Sequence, residues 1–213
     1  MNFSLLIDIL PFALASAVSP LMFTIAVLVA SQKKSANIKS ALFIFGGAVA
    51  ISIIGFVIFF LLARVSPGTS YTLTDARIDL ILGIFLISFA LYQFFIAKPP
   101  KQHTQKVISD AGAFGLGFGF MILNTSTIIM YIPAAHVASY YSNTVKVELL
   151  SVMVLFSLIP AIVPPLMLAL IHSPQKITAI KNSVNKNSRY IIAIIFGLIG
   201  IFELVKAIQY IAK

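Results

Sequence analysis

Long stretches without charge constrain this chain more than any single motif does. Residues 9–32, 40–63, 80–97, 111–145 and 149–175 contain no Asp, Glu, Lys or Arg. Each run reaches the roughly 18 apolar residues that a helix needs to cross a bilayer. A sixth run, residues 190–212, is interrupted by Glu203 and Lys206. Those two are three apart, share a helix face and can pair, and Lys206 lies close enough to the end of the run to snorkel. The pattern predicts an all-α integral membrane protein with six transmembrane helices.

Composition agrees. Only 10% of the 213 residues are charged and 60% are hydrophobic, whereas a soluble domain carries about 25% charged residues. The net charge of +9 would suggest nucleic acid in a soluble protein. Here the basic residues fall mainly between apolar runs, and no basic cluster with interleaved aromatics resembles a nucleic-acid surface. Membrane lipids are the expected partners of this charge. There is no cysteine, so disulfides, thiolate metal sites and thiol redox chemistry are excluded. Ala15, Ser16 and Ala17 mimic a signal-peptidase site. The first seven residues have no Lys or Arg, however, and the apolar run continues to Gln32, so an uncleaved first span is expected.

The loops orient the chain. Loop one holds Lys33, Lys34 and Lys39, loop three holds Lys98, Lys101 and Lys106, and loop five holds Lys176, Lys181, Lys186 and Arg189. The other side holds Arg64, Arg77, Lys146, Lys206 and Lys213. This two-to-one bias puts loops one, three and five in the cytoplasm and both termini outside, in a cell inner (plasma) membrane.

The two halves resemble each other. Ser19 and Pro20, an apolar run, Ala30 and Ser31, and a short polar loop are echoed by Asn124 and Thr125, an apolar run, Ala138 and Ser139, and another short loop. The third helix of each half opens near an arginine (Arg77, Arg189) and carries a glycine (Gly83, Gly197). The expected division is residues 1–98, a cytoplasmic linker at 99–110, and residues 111–213. A duplicated unit of three helices must sit upside down relative to its copy, which is the inverted-repeat plan of many secondary transporters.

Ser19 and Pro20 fall near the middle of the first run. Proline breaks or kinks a helix there, and serine followed by proline also reads as the cap and first residue of a new helix. In the second half, Asn124, Thr125, Ser126 and Thr127 place four polar residues in a row about half way along the fourth span. In hydrocarbon these are costly unless they face one another or water. A simple proline kink, and hydroxyl contacts between helices, are the competing readings. Broken helices 1 and 4 would bring two half-helix N-termini together near the midplane, where free N–H groups and positive dipole ends favour a carboxylate, phosphate or sulfate. Such a site needs no buried arginine, and the sequence places none at mid-span. The candidate substrate-binding residues are Ser16, Ser19, Pro20 and Thr24 around the first break, and Asn124, Thr125, Ser126, Thr127 and Tyr131 around the second.

Other features read as structure. His136 and His172 lie toward the ends of spans with no mid-span carboxylate to complete a metal site, so they read as interfacial polar residues. Asp8 reads as a solvated end charge. Pro133 adds an interruption to the fourth span, and Pro160, Pro164 and Pro165 should kink the fifth strongly. Gly112, Gly115, Gly117 and Gly119 offer small-residue contact surfaces.

Ala17, Val18, Ser19 and Pro20, the second helix with Gly46 and Gly47, and the polar break at Asn124 make the chain resemble the LysE superfamily of small six-helix exporters. Within it, the Ser-Pro form is most similar to the GAP family of Sap-like, lipid-addressing proteins, because the amino-acid exporters usually carry Pro-Gly-Pro in the first helix. The resemblance covers nearly the whole chain. It implies a 3+3 inverted fold, export from the cytoplasm, and a homodimer. Ser19 and Pro20 match the first-repeat motif and Asn124 the start of the second. The family usually reads Asn-Pro-Lys there, whereas this chain has Asn124, Thr125 and Ser126. Members of this fold that work in redox chemistry need paired cysteines, which are absent here.

The expectation is a transporter without cofactors. It would export or translocate an anionic amphiphile or lipid headgroup by alternating access. The competing functions are an amino-acid or small-metabolite exporter, a membrane enzyme acting on lipid headgroups, and a non-transporting accessory subunit. The loops supply no clustered acid, base or nucleophile for the enzyme.

Overall fold

A computed structural model describes residues 3–32, 34–62, 71–97, 107–171 and 174–212. Several residues used above lie outside this set: Lys33, Arg64, Lys98, Lys101, Lys106, His172 and Lys213, with most of the 99–110 linker. Every regular element among the described residues is a helix, with no strand. The helices are α1 (Phe3–Ser16), α2 (Pro20–Ala30), α3 (Ala36–Phe56), α4 (Leu73–Phe95), α5 (Asp110–Ile122), α6 (Thr125–Ser139), α7 (Asn143–Leu170) and α8 (Pro174–Ile211). A π-helical turn, Val57–Leu62, continues α3.

Four stretches are long and apolar enough to cross a bilayer alone: Ala36–Phe60, Leu73–Phe95, Asn143–Leu170 and Lys186–Ile211. Two bent pairs bring the count to as many as six where each is taken as one span. Leu6–Ser16 meets Pro20–Ala30 at 60°, and Asp110–Ile122 meets Thr125–Ser139 at 56°. The breaks at Ser19 and Asn124 are therefore real changes of direction, not kinks within a continuous helix. Large apolar side chains cover the outside, among them Phe95, Ile81, Leu155 and Leu198. A soluble monomer does not expose so much apolar surface, and the protein is a multi-pass membrane protein.

Local chemistry explains the helix starts. Thr72 and Asp75 form a reciprocal capping box on α4, which satisfies two otherwise orphaned donors. Ser109 caps α5 by accepting from the Gly112 amide at 3.0 Å. The interrupted sixth run does form a helix, and α8 starts well before residue 190, so Lys186 and Arg189 belong to it rather than to a loop. The prolines do not end their helices. Pro133 lies inside α6, and Pro160, Pro164 and Pro165 lie inside α7, yet both helices run on through them.

Two helix pairs pack backbone to backbone. Between α3 and α5, a Cβ on Gly117 would stand 1.9 Å from the Phe43 carbonyl oxygen, and one on Gly46 would stand 2.3 Å from that of Phe114. Gly115 and Gly119 face open space, so only part of the glycine series serves this contact. Between α4 and α8, Gly83 meets Gly200, each Cβ position lying within about 3 Å of the other's carbonyl oxygen.

Candidate functional site at the two helix breaks

The first break is made by its own sequence. α1 ends at Ser16, and Ser19 takes an extended backbone conformation as the cap of α2, accepting from the Met22 amide at 3.3 Å. Pro20 fills the first helical position, where its missing N–H costs nothing. At the second break Asn124 holds the cap position of α6, but its side chain does not cap the backbone. Asn124 Nδ2 donates to Thr127 Oγ1 at 2.6 Å, and Ser126 Oγ donates to Asn124 Oδ1 at 3.0 Å. Asparagine is a favoured helix cap, but here the neighbouring hydroxyls compete for both ends of the Asn124 amide. The first intrahelical bonds are Phe23 to Ser19 and Ile128 to Asn124. The amides of Leu21, Ser126 and Thr127 precede them and have no helix carbonyl to bond.

The breaks touch. Thr127 Oγ1 donates to the Ser16 carbonyl oxygen at 3.0 Å. Ser157 Oγ, on α7, lies 3.1 Å from both Ser16 Oγ and the Tyr131 hydroxyl. Ser16, Thr127, Tyr131 and Ser157 are fully buried. Thr24 is also buried and bonds back to the Pro20 carbonyl oxygen at 2.8 Å. These residues form the supporting layer behind the breaks.

In front of that layer lies an open cavity of about 340 Å³. It is lined by Ser19, Pro20 and Leu21 from the first break and by Leu123, Asn124, Thr125 and Ser126 from the second. Phe89, Tyr92 and Gln93 of α4 and Ser188, Arg189 and Ile192 of α8 complete the wall. Of the nine candidate residues, Ser19, Pro20, Asn124, Thr125 and Ser126 face this space, while Ser16, Thr24, Thr127 and Tyr131 do not line it. Its floor is polar, with Ser19 and Asn124 each 4% exposed. Its rim is mainly apolar, with Thr125 also exposed on it, and reaches the outer surface at Leu123 and Tyr92.

Arg189 corrects the expectation of a site without arginine. Its guanidinium donates to the Tyr190 hydroxyl and stacks 4.5 Å from that ring's centre. It also reaches the Ala97 carbonyl oxygen at 3.5 Å. Sequence reasoning counted it as loop charge because it precedes the last apolar run. The signal that distinguishes it is its place on a helix that extends about four turns before the run becomes apolar. Two helix N-termini and one guanidinium thus converge on one cavity, all of positive sign. Among the described residues no group of His, Asp and Glu is arranged to hold a metal.

No curated protein and no solved structure matches the chain. One family model does, over residues 9–209, which takes in both breaks, the cavity and nearly all of the eight helices. With all of these elements inside the match, the chain belongs to the family described as Sap, sulfolipid-1-addressing protein.

Proposed function

We propose that this protein translocates an anionic amphiphile across the inner membrane, with the headgroup held in the cavity at the two breaks. The observation that carries the reading is the convergence of Ser19, Asn124 and Arg189 on one space with a mainly apolar, surface-reaching rim. A headgroup bearing sulfate, phosphate or carboxylate suits the floor, and the acyl chains suit the rim. Membership of a family named for sulfolipid addressing supports a lipid over a soluble metabolite.

The contacts also favour two inverted three-helix repeats. α1 packs against α6 and α2 against α5, so each half-helix meets its counterpart's partner, while the third helices α4 and α8 pack on each other. Under that plan the protein needs no cofactor and performs no chemistry on the lipid. It moves its ligand by alternating exposure of the cavity, with loops one, three and five in the cytoplasm.

The test is flux in proteoliposomes. Labelled sulfated and phosphorylated lipids should cross in wild type, and Ser19→Ala and Asn124→Ala should slow them severalfold. Movement of amino acids alone would replace this reading with a small-metabolite exporter. No movement of either class would favour an accessory subunit.

A further inference from the structure

A second polar group lies at the other end of the helices that build the cavity. Asp79, buried on α4, contacts Lys206 of α8 through Oδ2 at 2.8 Å and lies 3.2 Å from His136 Nε2 of α6 through Oδ1. The Tyr71 hydroxyl donates to the same carboxylate at 2.6 Å. Glu203, only 2% exposed, sits a turn before Lys206 and 4.0 Å from its ammonium. Asp75 is buried one turn before Asp79, and Tyr140 stands beside His136. The titratable groups facing this cluster are therefore Asp75 and Asp79 from α4, His136 and Tyr140 from α6 and its cap, Glu203 and Lys206 from α8, and Tyr71.

The charges do not balance. Three carboxylates share one permanent cation, Lys206, and that cation is drawn to Asp79. Burial and then the Asp79 carboxylate push the Tyr71 hydroxyl far above the usual tyrosine range, so it stays a donor and never a charge. Uncompensated charge inside a membrane protein is costly and marks function more often than packing. A proton is the smallest cation that removes the deficit, and the His136 ring, 3.2 Å from the Asp79 carboxylate, is a group that can carry it. Lys206 is 36% exposed, so the group is not sealed from the protein surface.

The arrangement joins this cluster to the cavity. α4 carries Tyr92 and Gln93 at the cavity and Asp79 here. α8 carries Arg189 there and Lys206 here, about 25 Å apart at 1.5 Å per residue. α6 begins at the cavity with Thr125 and carries His136 in its last turn. A shift of any of these three helices on ligand binding moves both sites.

We infer that Asp79, His136, Glu203 and Lys206 form a proton-binding site, coupled through α4, α6 and α8 to the cavity at the helix breaks. His136 and Glu203 exchange the proton while Asp79 and Lys206 remain paired. The coupling rests on the cavity binding an anion. The proton site does not.

Two measurements on the full chain in nanodiscs separate these parts. The first follows histidine ring signals by NMR between pH 5 and 9, with His103→Gln and His172→Gln used to assign His136. The His136 signal should titrate in this range, with a midpoint that moves in Glu203→Gln. A signal that does not titrate, or a midpoint indifferent to Glu203, overturns the proton site whatever the cavity binds. The second measures binding of a short-chain sulfated amphiphile by calorimetry in buffers of different ionisation enthalpy. Wild type should exchange a measurable fraction of a proton per ligand, and its Kd should change about threefold or more between pH 6 and 8. The His136→Gln, Glu203→Gln double variant should bind with that exchange lost. Binding with no proton exchange in wild type overturns the coupling. No binding at any pH defeats the lipid reading and the coupling with it, and leaves the NMR result to decide the proton site.

Discussion

Thr127 and Ser16 are 111 residues apart in sequence, yet the Thr127 hydroxyl donates to the Ser16 carbonyl oxygen at 3.0 Å. The bond ties the end of α1 to the first turn of α6, so each break supports the other. Thr127 also accepts from Asn124 Nδ2, which fixes the amide that borders the cavity.

Replacing that hydroxyl tests the tie. Thr127→Val keeps the shape but leaves the Ser16 carbonyl and the Asn124 amide without a partner in a buried place. The cost should be about 1–3 kcal/mol, read as a Tm several degrees lower. Thr127→Ser should retain most of the stability. Equal Tm values for the two variants would show that water replaces the hydroxyl.

The glycines of α5 make a sharper comparison, because two on the same helix differ only in what they face. Gly117→Ala puts a methyl against the Phe43 carbonyl oxygen and should destabilise the α3–α5 pair by about 1–3 kcal/mol. Gly115→Ala meets nothing within 4 Å and should be neutral or stabilising by up to about 1 kcal/mol. Thermal unfolding in detergent reads both.

Arg189 should matter to the ligand more than to the fold. A charge-assisted bond contributes about 1.5–3 kcal/mol, so Arg189→Gln should weaken binding of a sulfated amphiphile at least tenfold. Arg189→Lys should fall between, since it keeps the charge but loses the planar fork. Titration in nanodiscs checks this, with Tm as the control for folding.

The buried pair of Asp79 and Lys206 should show the asymmetry of ion pairs in apolar surroundings. Asp79→Asn leaves Lys206 with the more distant Glu203 and should cost about 3 kcal/mol, at the low end because Lys206 is partly exposed. Adding Lys206→Met should recover part of that loss. Thermal unfolding of the single and double variants reads the difference.

The positions of the spans and breaks were legible in the sequence because hydrocarbon imposes its rules locally. A run without charge is long enough or it is not, and Ser19 with Pro20 carries its own helix start. Asn124 was legible as a break but not as a hydrogen-bonding centre, since its partners Thr127 and Ser126 compete with the backbone. The prolines of α7 lie within a continuous helix, where neighbouring helices can satisfy what a proline leaves open. Arg189 and Asp79 were the larger losses. Both served as markers of where apolar runs begin, and a run boundary says nothing about which way a side chain turns once helices pack. Ser157 was equally hidden, as one hydroxyl in an apolar helix. The pairing of Asp79 with His136 and Lys206 joins three helices across the fold, and local pattern cannot show that.

The absence of cysteine allows the central claim, one anion-binding cavity shared by both breaks and Arg189, to be tested directly. Single variants Ser19→Cys, Ser126→Cys and Arg189→Cys can be treated with a water-soluble, sulfonate-bearing thiol reagent in native membranes, with Ile81→Cys on the apolar exterior as control. The account predicts labelling at the three cavity positions, protection of all three by a sulfated amphiphile, and no labelling at position 81. Labelling at only one break, or labelling at all three that the amphiphile leaves unchanged, would contradict it.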